Sequence, residues 1–289
     1  MQQLSQLYST FLSAVAALDK IMEVLEEDPQ VTDEASASEL GHVRGHVRFD
    51  AVHFSYGTGP EVLHGIDLDV PPGTTVALVG HTGAGKSTIA KLLARFYDPT
   101  GGTISVDGVD LRHVTQESLR RRLGIVPQEG FLFAGTVAEN IAFGRPGASR
   151  EEIVAAARAV GAEEFVDQLE DGFDTALGER GSRLSLGQRQ LVAFARALLA
   201  DPAILILDEA TSSVDIATER RIERALRRLL HGRTAFVIAH RLSTVRRANL
   251  IVVLEHGTVV EQGTHDELLD RGGRYAELYG SWAAEAEVA

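Results

Sequence analysis

A glycine-rich loop is the segment of the sequence whose residue types and spacing point most directly to chemistry. Residues 80–88 read Gly-His-Thr-Gly-Ala-Gly-Lys-Ser-Thr and match the pattern G-x-x-x-x-G-K-[ST]. Glycines in such a loop let successive backbone amides converge on phosphate oxygens, and a helix that begins near Lys86 adds the positive end of its dipole. We expect the Lys86 ammonium to reach the outer phosphates of a nucleotide and Ser87 to hold Mg²⁺.

An acidic pair closes an apolar segment further along the chain, where residues 203–209 read Ala-Ile-Leu-Ile-Leu-Asp-Glu. An aspartate at the end of a buried strand can simply cap the backbone. In a chain with a phosphate loop, Asp208 is instead the expected acid on the Mg²⁺ side of the site. Glu209 is the expected group that orients and deprotonates an attacking water.

A pentapeptide between these two motifs, Leu-Ser-Leu-Gly-Gln at residues 184–188, narrows the class of protein. It resembles the signature of the ATP-binding cassette (ABC) ATPases, whose usual form is Leu-Ser-Gly-Gly-Gln. In that family the serine hydroxyl, nearby backbone amides and the dipole of the following helix meet the γ-phosphate held by the opposite subunit. Leu186 replaces the first glycine, and we expect it to reduce but not abolish turnover because Ser185 and Gly187 remain.

Four further residues take an expected role from the same resemblance. Tyr56 matches the aromatic that stacks on adenine, although a strand aromatic of this kind is otherwise best interpreted as core. Gln128 matches the hinge glutamine that approaches Mg²⁺ and links the nucleotide to a transmembrane partner. Asp215 matches the loop that crosses the dimer interface. His240 matches the donor that contacts the γ-phosphate together with Glu209, although a lone histidine at a strand end is more often structural.

The resemblance therefore implies a complete Mg-ATP site, with ATP and Mg²⁺ as the cofactors. The expected catalytic residues are Lys86, Glu209 and His240. The expected magnesium ligands are Ser87, Gln128 and Asp208. The residues expected to contact the nucleotide or its metal, in one subunit or across the dimer, are Tyr56, Gly80, His81, Thr82, Gly83, Ala84, Gly85, Lys86, Ser87, Thr88, Gln128, Ser185, Gly187, Gln188, Asp208 and Asp215.

Two segments favour the exporter branch of the family. Residues 178–181, Gly-Glu-Arg-Gly, resemble the short segment that exporters add at the membrane-facing contact, although the same residues suit an ordinary surface loop. Apolar residues recur at steps of three and four between residues 4 and 25, which predicts an amphipathic helix. Residues 1–28 resemble the intracellular end of an exporter's last transmembrane helix. The alternatives are that this helix packs on its own cassette or self-associates.

Composition excludes several function classes. The formal net charge of -13 repels phosphate backbones, so we expect no nucleic-acid partner. The chain has no cysteine, which rules out disulfides and thiolate metal sites. No run of 18 apolar residues is present and the start lacks the features of a secretion signal, so we expect the chain as given to be neither secreted nor membrane-spanning.

The order of strand-like and helix-like segments predicts the fold. Alternating apolar residues from about 47 to 70 indicate an antiparallel layer, and short apolar segments at 75–79, 203–207, 234–239 and 250–255, separated by helical patterns, indicate a mostly parallel sheet. We expect an α/β phosphate-loop ABC cassette with a mixed or parallel core sheet, an antiparallel β subdomain and an α-helical subdomain at about 128–186. The cassette is expected to span residues 46–289 and to follow a linker at residues 29–45.

These expectations combine into one function with two rivals. The chain is expected to be the ATP-binding and ATP-hydrolysing domain of an ABC exporter at the cytoplasmic face of the inner membrane. Its expected partners are a second ABC nucleotide-binding domain, identical or paralogous, and the transmembrane domain of the exporter, whose cargo stays unidentified. The rivals are a soluble ABC ATPase that does not serve transport, and a cassette that binds ATP with reduced hydrolysis.

Overall fold

The computed structural model describes residues 2–26, 29–128, 130–208, 216–239 and 241–288. The chain divides into one compact unit that ends at Thr32 and a second that begins at Asp33. The first unit contains helix α1, Gln2–Leu25, which confirms the predicted amphipathic helix. None of its described residues is buried, and large apolar side chains such as Leu7 and Phe11 are exposed.

The second unit begins with a segment that is irregular but well packed. Leu40 and Val43 are buried, and the Leu40 amide donates to Ser118 Oγ at 2.9 Å. The carboxylate of Asp33 accepts a hydrogen bond from the Gln116 amide at 3.0 Å. Residues 33–45 therefore lie against the body of the second unit, and the domain boundaries at 28 and 45 stay predictions.

A four-stranded antiparallel sheet follows and confirms the predicted antiparallel layer. Its strands, in the order β2-β1-β4-β5, are β1 Val47–Ser55, β2 Glu61–Val70, β4 Gly101–Val106 and β5 Val109–Asp110. Inward and outward residues alternate along β1 on either side of an irregularity at Asp50 and Ala51, so that both Phe49 and Phe54 face the core. This layer positions Tyr56, which follows β1 directly.

The core sheet has six strands within the described residues, in the order β10-β9-β3-β8-β7-β6. They are β3 Thr75–Val79, β6 Leu123–Val126, β7 Ile204–Asp208, β8 Thr234–Ile238, β9 Leu250–Glu255 and β10 Thr258–Gly263. All neighbours are parallel except β9 and β10. The predicted mixed, mostly parallel sheet is therefore confirmed.

Helices cover this sheet and form a separate helical region. Their bounds are α2 Lys86–Leu93, α3 Gln116–Arg120, α4 Val137–Ala142, α5 Arg150–Ala159, α6 Glu163–Val166, α7 Leu186–Ala200, α8 Ile216–Leu230, α9 Leu242–Arg247, α10 His265–Arg271 and α11 Arg274–Val288. Helices α4 to α6 lie within the predicted helical subdomain. Thr136 and Ser149 begin α4 and α5 through capping boxes, which satisfy amides that the first turn leaves unpaired.

Helix α2 begins at Lys86, where the phosphate loop predicts a helix start, and ends at Leu93. Arg95 adopts a positive φ of 51° and breaks the helix. Its buried guanidinium donates to the Val114 carbonyl at 2.5 Å and to Asp98 at 3.1 Å. These tertiary contacts fix a conformation that local helix propensity disfavours.

Burial on both faces of the core sheet explains its apolar strands. In β3, Ala77 and Val79 belong to a core that includes α7, whereas Val76 and Leu78 belong to a second core shared with the antiparallel layer. A strand buried on both sides needs apolar residues at every position. The loop that leaves β3 is thereby anchored between two cores.

Candidate functional site

The phosphate loop connects β3 to α2, as the motif requires. Gly80 has a φ of 147°, and a Cβ atom there would lie 2.2 Å from the Leu254 carbonyl oxygen. Gly85 has a φ of 106°, and its Cβ would lie 2.6 Å from a methyl group of Leu63. Glycine is therefore required at both positions by backbone conformation and by space.

The loop presents backbone donors without protein acceptors. In the described part of the chain, no acceptor is found for the amides of Thr82, Gly83, Gly85, Lys86 and Ser87. Orphan amides at a glycine-rich turn and a helix start form a site for anions. The loop therefore fits the phosphate groups of a nucleotide.

Lys86 lies inside this loop. Its ammonium donates to the carbonyls of Gly80 at 2.7 Å and His81 at 2.9 Å, which orients the side chain along the loop and leaves one of three N–H donors. Burial lowers the pKa of Lys86, and the nearby charge of Asp208 opposes that shift. Lys86 and Asp208, two predicted site residues that are far apart in sequence, are therefore close enough in the structure for their charges to interact.

Sheet topology explains how the other predicted groups converge. Asp208 ends β7, which pairs with β8, and β8 pairs with β3 ahead of the phosphate loop. Gln128 is exposed just after β6, the parallel neighbour of β7. Because parallel strands present their carboxyl ends at one edge, Gln128, Asp208 and the exposed Ser87 all follow or end strands at the same edge.

The donor set at this edge fits a magnesium ion bound together with phosphates. Ser87, Gln128 and Asp208 offer a hydroxyl, an amide oxygen and a carboxylate, and Mg²⁺ typically takes one or two carboxylates plus substrate phosphates. No group of three or more His, Cys, Asp or Glu side chains among the described residues forms a separate metal cage. The metal role of these three residues stays a prediction.

Three predicted site residues lie outside the described residues. They are Glu209, Asp215 and His240. Glu209 follows Asp208 directly in sequence, and His240 comes two residues after the end of β8. Their expected roles therefore stay predictions.

Tyr56 lies beside the start of α2. Its hydroxyl is 3.1 Å from Thr88 Oγ1, and its half-buried ring packs edge-on against Phe54 and Tyr97. The Lys91 ammonium lies 5.4 Å from the ring centroid. Both interpretations of Tyr56 have support, because the ring packs in the antiparallel layer and also borders the phosphate loop.

The pentapeptide forms the start of α7. Ser185 is the N-cap: its hydroxyl accepts from the Gln188 amide at 3.3 Å, while Gln188 Oε1 accepts from the Ser185 amide at 2.8 Å. This capping box gives both residues a structural role that the sequence analysis did not assign. The exposed Ser185 hydroxyl keeps its own proton for donation to another group.

Leu186 and Gly187 differ sharply in their surroundings. Leu186 is the first helical residue and is half-buried, so leucine fits the backbone there and only its bulk sets it apart from glycine. Gly187 is buried, and a Cβ at this position would lie 2.3 Å from Thr218 Cγ2 on α8. The helices α7 and α8 therefore approach each other closely at Gly187.

One cation beside the phosphate loop, Arg274, was not predicted from the sequence. Arg274 at the start of α11 has its Nη2 atom 3.2 Å from His81 Nε2 and 3.0 Å from a Glu255 carboxylate oxygen. His81 and Arg274 are 193 residues apart in sequence. No local pattern signals this contact, since it arises from packing the last helix beside the loop.

An exposed aromatic patch, formed by Phe131, Phe133 and Phe143, follows Gln128 in the sequence. The exposed fractions of these side chains are 48%, 39% and 60%, and neighbouring rings lie 4.4–5.1 Å apart. The Arg196 guanidinium lies beneath the rings of Phe133 and Phe143 and donates to the Asn140 carbonyl at 2.8 Å. Large exposed aromatic clusters are typical of binding surfaces.

Residues 178–181 lie close to this patch. Gly181 has a φ of 68°, and a Cβ there would lie 2.8 Å from a methyl group of Leu132. Arg180 also has a positive φ, of 52°. The segment is a tight turn held against the chain between Phe131 and Phe133.

Comparisons with known proteins agree with this geometry. The sequence pattern described as ABC transporter matches residues 63–212. The chain is 52% identical over 276 residues to YknV, an uncharacterised ABC transporter ATP-binding protein of Bacillus subtilis, covering 96% of this chain and 46% of that protein. It is 47% identical over 287 residues to an ATP-dependent lipid A-core flippase of Chromohalobacter salexigens, covering 99% and 49%.

A solved structure shows the same fold. A bacterial Atm1-family ABC exporter with ATP bound superposes with a TM-score of 0.86 and 46% identity, covering 97% of this chain and 49% of the other. The chain thus spans just under half the length of the proteins it matches. Within the residues that the structure describes, no helix combines the length and apolar character needed to cross a membrane. Because the family pattern covers more than half of the sequence and the cassette fold is present, the chain belongs to the ABC transporter family.

Proposed function

We propose that the chain is the ATP-binding and ATP-hydrolysing domain of an ABC exporter. The observation that carries this proposal is the phosphate loop, whose orphan amides surround Lys86 while the charge of Asp208 acts on the same ammonium. A positively polarised cradle beside a carboxylate suits a polyphosphate with its metal.

Different residues of the chain have different proposed roles in hydrolysis. The loop amides and Lys86 hold the β- and γ-phosphates in place and stabilise the charge that develops on them. Glu209 orients a water molecule against the γ-phosphorus and accepts its proton, and His240 donates to the γ-phosphate. Ser87, Gln128 and Asp208 would hold a magnesium ion, which would neutralise phosphate charge when bound.

A second cassette completes the site. Ser185 caps α7 at an exposed helix start, where a hydroxyl proton and the positive helix end are available to an anion from outside. The proposed anion is the γ-phosphate held by the opposite cassette. Two chains, or this chain and a paralogue, would then close on two Mg-ATP, and hydrolysis would reopen them.

A transmembrane domain is the second proposed partner. The chain covers only 44% of a Mycobacterium bovis protein named as a fatty acid ABC transporter ATP-binding/permease protein, with 48% identity. Two features offer contact surface for such a domain: the exposed apolar side chains of α1 and the aromatic patch. The proposed location is the cytoplasmic face of the inner membrane, and the exported substrate stays unidentified.

Phosphate release at several protein concentrations tests the enzymatic part of the proposal. The wild-type rate should require Mg²⁺ and rise more steeply than protein concentration, because the active unit is a dimer. Lys86→Ala should lose nucleotide binding, whereas Glu209→Gln should keep binding and lose roughly a hundredfold or more of the rate. Wild-type protein that hydrolyses no ATP at any concentration would overturn the proposal.

A binding-only cassette is the second candidate, favoured by one observation. Leu186 places a half-buried apolar side chain at the helix start where the usual signature has glycine. This candidate predicts that wild type and Glu209→Gln bind ATP and dimerise equally, with no phosphate release from either. A difference between the two proteins in ATP-dependent dimerisation excludes it.

The membrane partner is tested by crosslinking in the full-length transporter. Because the chain has no cysteine, Phe143→Cys introduces a unique reactive site in the aromatic patch. We expect it to crosslink to the transmembrane domain, whereas Arg271→Cys on α10 serves as an exposed control. Equal crosslinking at both positions, or none at Phe143→Cys, contradicts a membrane contact at the patch and favours the soluble ABC ATPase.

A further inference from the structure

A basic cavity lies on the second unit between the end of α5, helix α6 and helix α8. Its volume is about 640 Å³, and it is lined by none of the phosphate-loop residues. The basic side chains that line it are Arg158, Arg221, Arg224, Arg227, Arg228 and His231. Such a concentration is unexpected on a chain whose formal net charge is -13.

Two of these arginines are neutralised by carboxylates. Arg158 forms a two-pronged pair with Glu163, with both N–O distances at 2.7 Å. Arg221 pairs with Glu164 at 3.0 Å, and Glu164 is the carboxylate that lines the cavity. These two ion pairs neutralise the charges of Arg158 and Arg221.

The remaining three arginines keep their positive charge. Among the described residues, no carboxylate lies within ion-pair distance of Arg224, Arg227 or Arg228. Arg228 donates one N–H to the Ala159 carbonyl at 2.9 Å, which satisfies the exposed end of α5 and fixes that guanidinium at the cavity. Arg224 donates to a carbonyl of its own helix, that of Arg220, at 3.4 Å.

The arginines of α8 repel one another and so destabilise this helix. Arg224 and Arg228 lie four residues apart, so two positive charges are neighbours along one side of the helix. A different side of the helix is buried through Ile222 and Leu229. Repulsion between neighbouring guanidinium groups destabilises an isolated helix, and an anion bound between them removes that repulsion.

The shape and lining of the cavity identify the ligand class. Guanidinium groups bind phosphate oxygens through paired hydrogen bonds, and sites for small molecules commonly measure about 300–1,000 Å³. The apolar side chains that line the cavity are those of Ala159, Val160 and Ala225, with no aromatic or long aliphatic residue among them, so the lining does not resemble the anchor pockets of a peptide site. We propose that this cavity binds a molecule that carries two or more neighbouring phosphate groups, either soluble or as a lipid head group.

Calorimetric titration with inorganic tripolyphosphate tests the soluble source. The full chain carries Lys86→Ala in every sample, so that the phosphate loop contributes no binding. Adding Arg224→Gln and Arg227→Gln should weaken binding at least about tenfold, since each removes charge-assisted hydrogen bonds. Arg220→Gln, on the same helix but not lining the cavity, should leave binding unchanged, and thermal unfolding confirms that the variants fold.

Cosedimentation with vesicles tests the lipid source. The same proteins are mixed with phosphatidylcholine vesicles that contain or lack cardiolipin, whose head group carries two phosphates. A gain in binding with cardiolipin that the Arg224→Gln/Arg227→Gln variant loses supports a lipid ligand, and tripolyphosphate binding that it loses supports a soluble one. The proposal is overturned if neither probe binds, or if Arg220→Gln weakens binding as much as the double variant.

Discussion

The guanidinium Nη2 atom of Arg274 lies 3.2 Å from the imidazole Nε2 atom of His81 and so joins the last helix to the phosphate loop. Arginine can only donate, which makes Nε2 of His81 the acceptor in this contact. Arg274 also pairs with Glu255 at 3.0 Å and Glu277 at 2.6 Å. This network ties the side chain of one loop residue, His81, to α11 and to β9.

Removing the arginine should loosen the loop without removing a group that touches phosphate. We expect Arg274→Met to raise the KM for ATP about two- to tenfold, the effect of one or two hydrogen bonds, and to change kcat little. Steady-state hydrolysis measures both constants. His81→Ala should have a similar effect, and the double variant should add little because both lose the same contact.

A matched control separates this effect from general charge loss. Arg271→Met removes an exposed arginine that donates to the Gln262 carbonyl on the neighbouring strand. Its KM should match the wild-type value. An Arg274→Met protein with unchanged KM, or additive effects of the two single variants, would show that the contact does not position the loop.

Gly187 should resist substitution for a packing reason. A Cβ atom at this position would lie 2.3 Å from Thr218 Cγ2 but 3.8 Å from Thr218 Cβ. We expect Gly187→Ala to lower the free energy of unfolding by about 1–3 kcal/mol, as overpacking does, and Thr218→Ala to restore part of the loss. Chemical denaturation of the single and double variants measures both changes.

A glycine-to-alanine substitution in α11 should instead raise the free energy of unfolding. Gly280 lies in α11, and among the described residues no atom outside the neighbouring helix backbone lies within 4 Å of its would-be Cβ. Gly280→Ala should therefore raise stability by about 0.5–1 kcal/mol, since alanine favours helix more than glycine. A stabilising Gly187→Ala would refute the close approach of α7 and α8.

Tyr275 should make stability depend on alkaline pH. Burial raises the pKa of Tyr275 from 10.0 to about 12, and its hydroxyl lies 2.7 Å from His265 Nδ1. The folded state therefore holds the phenol proton more tightly, and its contribution is complete below pH 10 and disappears as pH rises towards 12. The stability difference between wild type and Tyr275→Phe should shrink over this range, measured by denaturation at each pH. A constant difference would contradict this account.

Leu186 should limit turnover through its bulk and not through its backbone. Leu186 is the first residue of α7 and already has a helical backbone conformation. The extra backbone freedom of glycine is therefore not needed at this position. We expect Leu186→Gly and Leu186→Ala to raise the ATPase rate of the assembled transporter about two- to tenfold, because both remove the side chain. An unchanged rate in both variants would show that Leu186 does not limit turnover.

Motifs with fixed spacing were the part of this molecule that sequence predicted best. The loop at residues 80–88 and the strand that ends at Asp208 have local signals, namely glycines and a continuous apolar run. Both lie where the pattern predicted, since local chemistry and backbone conformation coincide there. The amphipathic α1 was predictable for the same reason.

Elements defined by distant partners were not predictable. Strand β4, Gly101–Val106, begins with two glycines, and β6, Leu123–Val126, has only four residues, so each takes its conformation from a neighbouring strand. The contact between Arg274 and His81 depends on where the last helix packs. Gly187 was predicted as a phosphate contact, and its packing against Thr218 required the distance between two helices.

The size of the ATP-bound assembly tests the central claim most directly. Light scattering after size-exclusion chromatography should show that the Glu209→Gln protein is a dimer with Mg-ATP and a monomer without nucleotide. Adding Ser185→Arg, which places a bulky cation at the exposed start of α7, should leave nucleotide binding intact and abolish the dimer. A Glu209→Gln protein that stays monomeric with bound Mg-ATP, or a dimer that Ser185→Arg does not disturb, would contradict a nucleotide site completed by a second cassette.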